Sequence, residues 1–133
     1  MRGGESPPPP DRGVRVPRYI TVIRIDEQNH PAESATPEFG ERMGALLEEI
    51  TKAGVMLDTA GLTPTSEGTR LTWSGGKISS VDGPFTESKE VIGGYAIIQV
   101  KDRAEAVEWT KRFLQVHDEH MTVTAELREI AEG

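Results

Sequence analysis

The sequence predicts an α+β fold, because strand-length and helix-length patterns follow one another in the order β-α-β, hairpin, β-α-β. The strand patterns are rich in β-branched residues and cover residues 18–25, 55–62, 92–100 and 121–127. Two amphipathic patterns between them, each with one apolar stripe, predict helices. This order is typical of the ferredoxin-like split βαβ arrangement, in which an antiparallel sheet carries two helices on one face.

The first strand and the first helix have clear boundaries. Residues Arg18–Ile25, RYITVIRI, form a β-branched and aromatic run of strand length. Thr36 before Pro37 suits a helix N-cap followed by proline at the first helical position. Ala53-Gly54 predicts the end of the helix, because glycine favours a left-handed cap. The apolar stripe between these limits consists of Phe39, Met43, Leu46, Leu47 and Ile50.

The second half of the chain begins with a predicted hairpin. Gly75-Gly76 separates strand patterns at residues 69–73 and 77–81, and a Gly-Gly centre supplies the positive φ angles of a tight turn. Asp102 predicts the N-cap of a second helix that extends to about Val116. Apolar and polar residues alternate in the last strand, from Met121 to Leu127, so one face of that strand is expected to be buried.

Two helices on one side leave the other face of the sheet uncovered. Ile20, Val22, Ile97 and their neighbours indicate apolar side chains on both faces. The uncovered face therefore needs a partner, and we expect a homodimer in which two sheets stack face to face.

The first seventeen residues differ from the rest. They hold five of the nine prolines, including Pro7-Pro8-Pro9-Pro10, and a proline run favours an extended helix without internal hydrogen bonds. We expect a flexible extension at residues 1–17 and a single domain at residues 18–133, which is an ordinary domain length. A proline-rich ligand for an aromatic groove is the alternative interpretation of the run.

Composition excludes several functional classes. The formal charge is −7, and eleven Lys and Arg face twenty Asp and Glu from Tyr19 onward, which disfavours nucleic-acid binding. No apolar run approaches a membrane span, and the first thirty residues lack the apolar core of a signal peptide, so a cytoplasmic location is expected. The absence of cysteine excludes disulfides, thiolate metal sites and cysteine nucleophiles.

Standard cofactor and catalytic motifs are missing from the sequence. No GxGxxG follows a strand, and neither a P-loop nor a GxSxG elbow occurs, so we expect no cofactor. His117 and His120 have the spacing of metal ligands, but the pair lies at a predicted helix end and in the loop after it. We interpret it as solvated surface and expect no metal site.

The unusual segment is DGPFTESKEVIGGY, residues 82–95. A structural interpretation has Asp82-Gly83 forming a turn, Pro84 fixing φ and Phe85 filling the core. In the same interpretation Gly93-Gly94 allows a close backbone approach or a bulge. The functional interpretation uses the same rigidity to present a carboxylate and a lysine to a small polar ligand.

The functional interpretation assigns a role to each candidate. Asp82 would accept a hydrogen bond or proton, and Lys89 would hold an anionic or phenolic oxygen of the ligand. Glu90 and Tyr95 would orient the ligand. The wider motif also contains Glu87. The residues alone leave the structural and the functional interpretations open.

The segment resembles the signature of YCII-related proteins, in particular their DGPF-domain branch: DGPF at 82–85, TESKE at 86–90 and GGY at 93–95. Further agreement in RYITVIRI, Ala53-Gly54-Val55, Gly61–Pro64 and Thr69-Arg70-Leu71 extends the resemblance over residues 18–129. It implies a dimeric α+β barrel, a homodimer with a pocket between helices and sheet near the DGPF turn.

The resemblance also implies two classes of function. Many such proteins are small bacterial proteins of unknown activity, and one relative is a dehydrochlorinase that acts on a chlorinated hydroxyquinol. In the YCII branch a histidine–aspartate pair is proposed as the active site, with its histidine around the first helix. Here residues 37–53 contain no histidine, and His30 lies in the preceding loop. We therefore expect a small-molecule-binding or enzyme-like homodimer whose reaction, if any, stays open. The alternative is a regulatory module that docks a protein, related to domains associated with extracytoplasmic-function sigma factors.

Overall fold

In the part of the chain that the structure describes, six strands and two helices follow one another in the order β1-α1-β2-β3-β4-β5-α2-β6. The structure, a computed structural model, describes residues 16–28 and 36–132. The strands are β1 Arg18–Ile25, β2 Met56–Gly61, β3 Thr69–Ser74, β4 Lys77–Asp82, β5 Val91–Gln99 and β6 Val123–Glu129. The helices are α1 Pro37–Lys52 and α2 Arg103–Gln115.

The chain is attached to the sheet from the first described residue. The Gln99 side chain donates a hydrogen bond to the Val16 carbonyl over 3.1 Å, and the Val100 amide donates to the Pro17 carbonyl over 3.3 Å. Residues 1–15 and His30 lie outside the described residues, so the flexible extension stays a prediction.

The main sheet has the strand order β2-β5-β1-β6, and every neighbouring pair is antiparallel. Strands β3 and β4 form a separate two-stranded sheet. The two helices and antiparallel sheets make an α+β structure that is consistent with a ferredoxin-like fold.

A bulge lies where the glycine pair predicts one. Ile23 pairs with Gly94 and Arg24 with Ile92, so Gly93 has no partner on β1. A Cβ atom at Gly94 would lie 3.0 Å from the Ala60 carbonyl oxygen of the neighbouring strand. The glycine pair therefore allows both the bulge and the close approach of β2.

Both helices have the predicted caps. The Thr36 hydroxyl accepts a hydrogen bond from the Phe39 amide over 3.2 Å, and the Asp102 carboxylate accepts one from the Glu105 amide over 2.9 Å. Gly54 has a φ of +74°, the left-handed conformation expected after α1. Strand β6 begins two residues later than predicted, because the Met121 amide still donates to the Asp118 carbonyl in a turn.

The core lies between the helices and one face of the main sheet. Its most buried side chains include Ile50 of α1, Ile98 of β5 and Ala106 of α2. One polar contact crosses this core, between the hydroxyls of Thr21 on β1 and Thr110 on α2, which are 2.8 Å apart.

A charged contact joins the two helices at the surface. Arg112 donates two hydrogen bonds to the Glu49 carboxylate, over 2.5 and 3.1 Å. This bonding lowers the pKa of Glu49 and raises the pKa of Arg112, because the pair stabilises the charged form of each partner.

Apolar side chains remain uncovered by the helices on two surfaces. Ile20 and Val22 alternate with the buried Tyr19 and Thr21 along β1, so they lie on the sheet face opposite the helices. All residues of β3 and β4 are exposed. On one face of that hairpin Leu71, Trp73 and Ile78 are 68%, 71% and 68% exposed.

Within residues 16–28 and 36–132, no helix combines the length and the apolar character needed to cross a membrane. The same residues contain no cluster of three His, Asp or Glu side chains that could hold a metal ion.

Candidate functional site

A cavity of about 660 Å³ lies between the two helices and the sheet. Helix α1 contributes Phe39, Met43 and Leu47 to its wall, and Phe113 of α2 lies opposite. The sheet contributes residues of β1, β2 and β5, and Pro84 of the DGPF turn borders the space. Cavities of this size and apolar character hold small organic ligands in other proteins.

Most polar side chains at the wall are already hydrogen-bonded within the protein. The Glu27 carboxylate accepts hydrogen bonds from both the amide and the hydroxyl of Thr65, the former over 2.8 Å. The Thr59 hydroxyl donates to the Tyr95 carbonyl over 2.8 Å. The Thr21 hydroxyl contacts Thr110. These groups therefore stabilise the wall more than they offer free partners to a ligand.

His117 lines the cavity just beyond the end of α2. Its Nδ1 atom lies 3.1 Å from the Leu114 carbonyl oxygen. Its ring contacts the Phe39 ring with a centroid separation of 5.2 Å and an interplanar angle of 51°. The Arg42 guanidinium of α1 donates a hydrogen bond over 2.7 Å to the carbonyl of Val116, the residue before His117. Contacts from both helices thus fix the position of the imidazole.

The DGPF turn is held against the short 3₁₀ turn Thr65–Glu67. The Gly83 amide donates to the Gly68 carbonyl over 2.9 Å, and the Phe85 amide donates to the Thr65 hydroxyl over 3.2 Å. A Cβ atom at Gly83 would lie only 1.7 Å from the Thr65 carbonyl oxygen. Only glycine fits this contact, and Thr65 thereby connects the DGPF turn to Glu27 at the cavity wall.

Phe85 does not fill the core as the sequence suggested. Its ring is half-buried on the open side of the sheet, with the Arg70 guanidinium stacked 3.9 Å from the ring centroid. Arg70 also forms an ion pair with Glu87 and donates to the Ser88 hydroxyl over 3.1 Å. The pKa of Glu87 is lowered, first by a hydrogen bond from the backbone amide of Glu87 and second by the hydrogen bond from Arg70. The core is filled from the helix side of the sheet instead, and this leaves Phe85 on the other side.

The structure does not bring the four candidate residues Asp82, Lys89, Glu90 and Tyr95 together. Asp82, at the end of β4, accepts a hydrogen bond from the Thr69 hydroxyl over 3.0 Å. Lys89 is exposed and borders neither the cavity nor the groove on the open face.

Glu90 and Tyr95 are directed to the open face of the sheet. Glu90 lies 3.6 Å from the Arg24 guanidinium in the groove there. Tyr95 also borders the cavity, but its hydroxyl donates a hydrogen bond to the Asp58 carboxylate over 2.9 Å. This hydrogen bond raises the pKa of Tyr95. Alternation along β5 explains this, because the neighbouring Gly94 and Ala96 are the buried residues.

Two cavity residues carried no functional prediction from the sequence. Glu27 stands in a polar loop, and its link to Thr65 joins residues 38 positions apart. His117 drew attention only through its spacing from His120. A histidine directly after an amphipathic helix was the only available signal, and it does not indicate which way the ring faces.

Comparison with known proteins identifies the family of the chain. The sequence model of the YCII-related domain family matches residues 18–129 of this chain. An uncharacterized protein of Rhizobium meliloti is 30% identical over 69 residues, which are 52% of this chain. The match spans 56% of the length of that relative. Because the family model covers nearly all of the chain that the structure describes, this protein belongs to the family of YCII-related domains.

Proposed function

We propose that this YCII-related domain binds a small, largely apolar molecule in the cavity between its helices and its sheet. The observation that carries the proposal is the cavity itself. Its volume of about 660 Å³ lies in the range of ligand pockets, and its wall combines apolar side chains with few free polar groups.

The DGPF segment supports this function chiefly by shaping the cavity. Pro84, Gly93 and Gly94 border the space, which supports a role for this segment at the proposed site. We assign Asp82 and Gly83 to the turn, since each contacts a neighbouring strand or turn residue. Direct contact of Lys89 with a ligand would require the ligand to extend out of the cavity.

We further propose that the protein is a homodimer in which the open sheet faces stack. Ile20 and Val22 on that face would leave water on association, and charged residues such as Arg24 surround them. The hairpin adds a second exposed apolar surface, formed by Trp73 with Leu71 and Ile78. A second copy of this chain is the occupant that would cover both surfaces, as in the dimeric barrel that the resemblance implies.

A thermal-shift screen with small aromatic and alicyclic molecules tests the binding function. A ligand at one hundred times its dissociation constant stabilises the native state by about 2.7 kcal/mol, a shift of several degrees in the melting midpoint. The matched variants are Met43→Trp, which blocks the cavity, and Ala45→Trp, which adds the same ring to the exposed side of α1.

Each variant is compared with its own unliganded midpoint. Ligands that stabilise the wild type and Ala45→Trp but not Met43→Trp support the cavity as the site. Equal stabilisation of all three proteins would move the site elsewhere. A screen without hits would overturn the proposal and favour the protein-docking alternative.

A further inference from the structure

His117 is a cavity residue whose hydrogen-bonding capacity is partly unused among the described residues. Its Nδ1 atom lies 3.1 Å from the Leu114 carbonyl oxygen, and a carbonyl can only accept a hydrogen bond. Nδ1 therefore carries a proton. In the neutral ring the other nitrogen, Nε2, then has a free lone pair and acts as an acceptor.

Within the part of the chain that the structure describes, the surroundings of the ring leave Nε2 available to a ligand. None of the residues that the structure describes forms a hydrogen bond with Nε2. The contact with Phe39 and the anchoring of Val116 by Arg42 hold the ring in the cavity wall. An acceptor that is fixed in an apolar wall favours a ligand that brings its own donor, because an unpaired polar group loses its hydration on binding.

The remaining polar groups at the wall determine which donor is suitable. Glu27 adds a carboxylate whose oxygens already accept two hydrogen bonds from Thr65, and it disfavours a second negative charge in the cavity. A carboxylate or phosphate ligand would therefore meet the acceptor of His117 and the like charge of Glu27, and the side chains that could donate to it are the exposed hydroxyls of Thr63 and Ser66. A neutral hydroxyl or N–H group on an apolar ring meets neither problem.

We propose that the cavity recognises a neutral ring compound through a hydrogen bond from its hydroxyl or N–H group to Nε2 of His117. This inference rests on the proposed binding function and narrows it to one ligand class. The apolar part of the ligand packs against Met43, Phe113 and Met121, and its donor determines orientation. His117 is a binding residue in this proposal, and no reaction is assigned to it.

A matched pair of probes isolates the hydrogen bond. 2-Naphthol carries a hydroxyl, whereas 2-methoxynaphthalene has nearly the same shape and no donor. We expect calorimetric titration to give a dissociation constant about tenfold lower for 2-naphthol, as a hydrogen bond of about 1.4 kcal/mol would. The Met43→Trp variant should bind neither probe.

Variants at the ring locate the acceptor. His117→Asn retains a donor near the Nδ1 position for Leu114 but removes Nε2, so both probes should bind it with equal affinity. His117→Gln places an amide near the Nε2 position and should restore part of the preference. His120→Asn is the control, because His120 is exposed and outside the cavity wall, and its preference should match the wild type.

The outcomes separate this inference from the proposed function. If both probes bind the wild type equally and Met43→Trp blocks both, the cavity binds ligands but the assignment of His117 is overturned. A preference that persists in His117→Asn overturns it as well. If neither probe binds the wild type at its solubility limit, the inference fails.

Discussion

The buried pair Thr21 and Thr110 permits a sharp test of how the sheet is joined to α2. Their side chains are 1% and 7% exposed. The Thr110 hydroxyl donates to the Ala106 carbonyl over 2.8 Å, so the contact of 2.8 Å between the two hydroxyls must use the proton of Thr21. Valine has nearly the shape of threonine without the hydroxyl, so substitution tests the hydrogen bonds with little change in packing.

The two single substitutions are expected to differ in cost. Thr110→Val leaves the buried Thr21 hydroxyl without an acceptor, which costs about 2 kcal/mol, within the 1–3 kcal/mol range for an unsatisfied buried group. Thr21→Val leaves Thr110 still bonded to Ala106 and should cost about 1 kcal/mol or less. The double variant removes both hydroxyls and should be more stable than Thr110→Val alone.

Urea unfolding followed by far-UV circular dichroism measures these differences, and equal m values would show that the same transition is compared. In thermal unfolding, Thr110→Val should lower the midpoint by roughly 6–10 °C for a domain of this size. The reasoning would be refuted if the double variant lost as much free energy of unfolding as the two single variants together, because the effects of two uncoupled hydroxyls are additive.

Two further predictions concern the DGPF turn and the proposed dimer. Gly83→Ala should destabilise the fold by at least about 2 kcal/mol in urea unfolding, because the added Cβ lies 1.7 Å from the Thr65 carbonyl oxygen. Gly40→Ala is its control, with open space around the new Cβ, and a Gly83 variant as stable as this control would contradict the role of the contact. Light scattering after gel filtration should give twice the chain mass of 14.6 kDa, and Trp73→Ser should weaken the dimer. A wild-type monomer at high concentration would refute the dimer, and an unchanged dimer in the variant would exclude the hairpin from the interface.

Strands and helix ends that depend on interactions between residues close in sequence could be predicted from the sequence. Strand β1 has the predicted boundaries, since its eight residues form one uninterrupted run with strand propensity. Thr36 and Asp102 cap the helices because each bonds an amide three residues ahead, a contact that needs no tertiary structure. The glycine pair Gly93-Gly94 likewise predicts a bulge or a close approach, and the structure has a bulge at Gly93.

The position of individual side chains could not be predicted in the same way. Phe85 was expected in the core because phenylalanine is apolar, but Arg70 covers it on the open face instead. The spacing of residues 82–95 suggested one site, yet Asp82 bonds to Thr69 while Tyr95 bonds to Asp58. A sequence gives separation along the chain, whereas the face of a sheet on which a residue lies depends on register and on bulges.

The sequence by itself determined the family, the order of strands and helices and their caps, because these follow from local pattern and motif. Only the tertiary structure decided where the cavity lies. The cavity forms between α1, α2 and the sheet, and it unites His117 with Phe39 across 78 positions of sequence. Such a site arises from packing between distant segments, and packing is a property of the folded chain that no single segment contains.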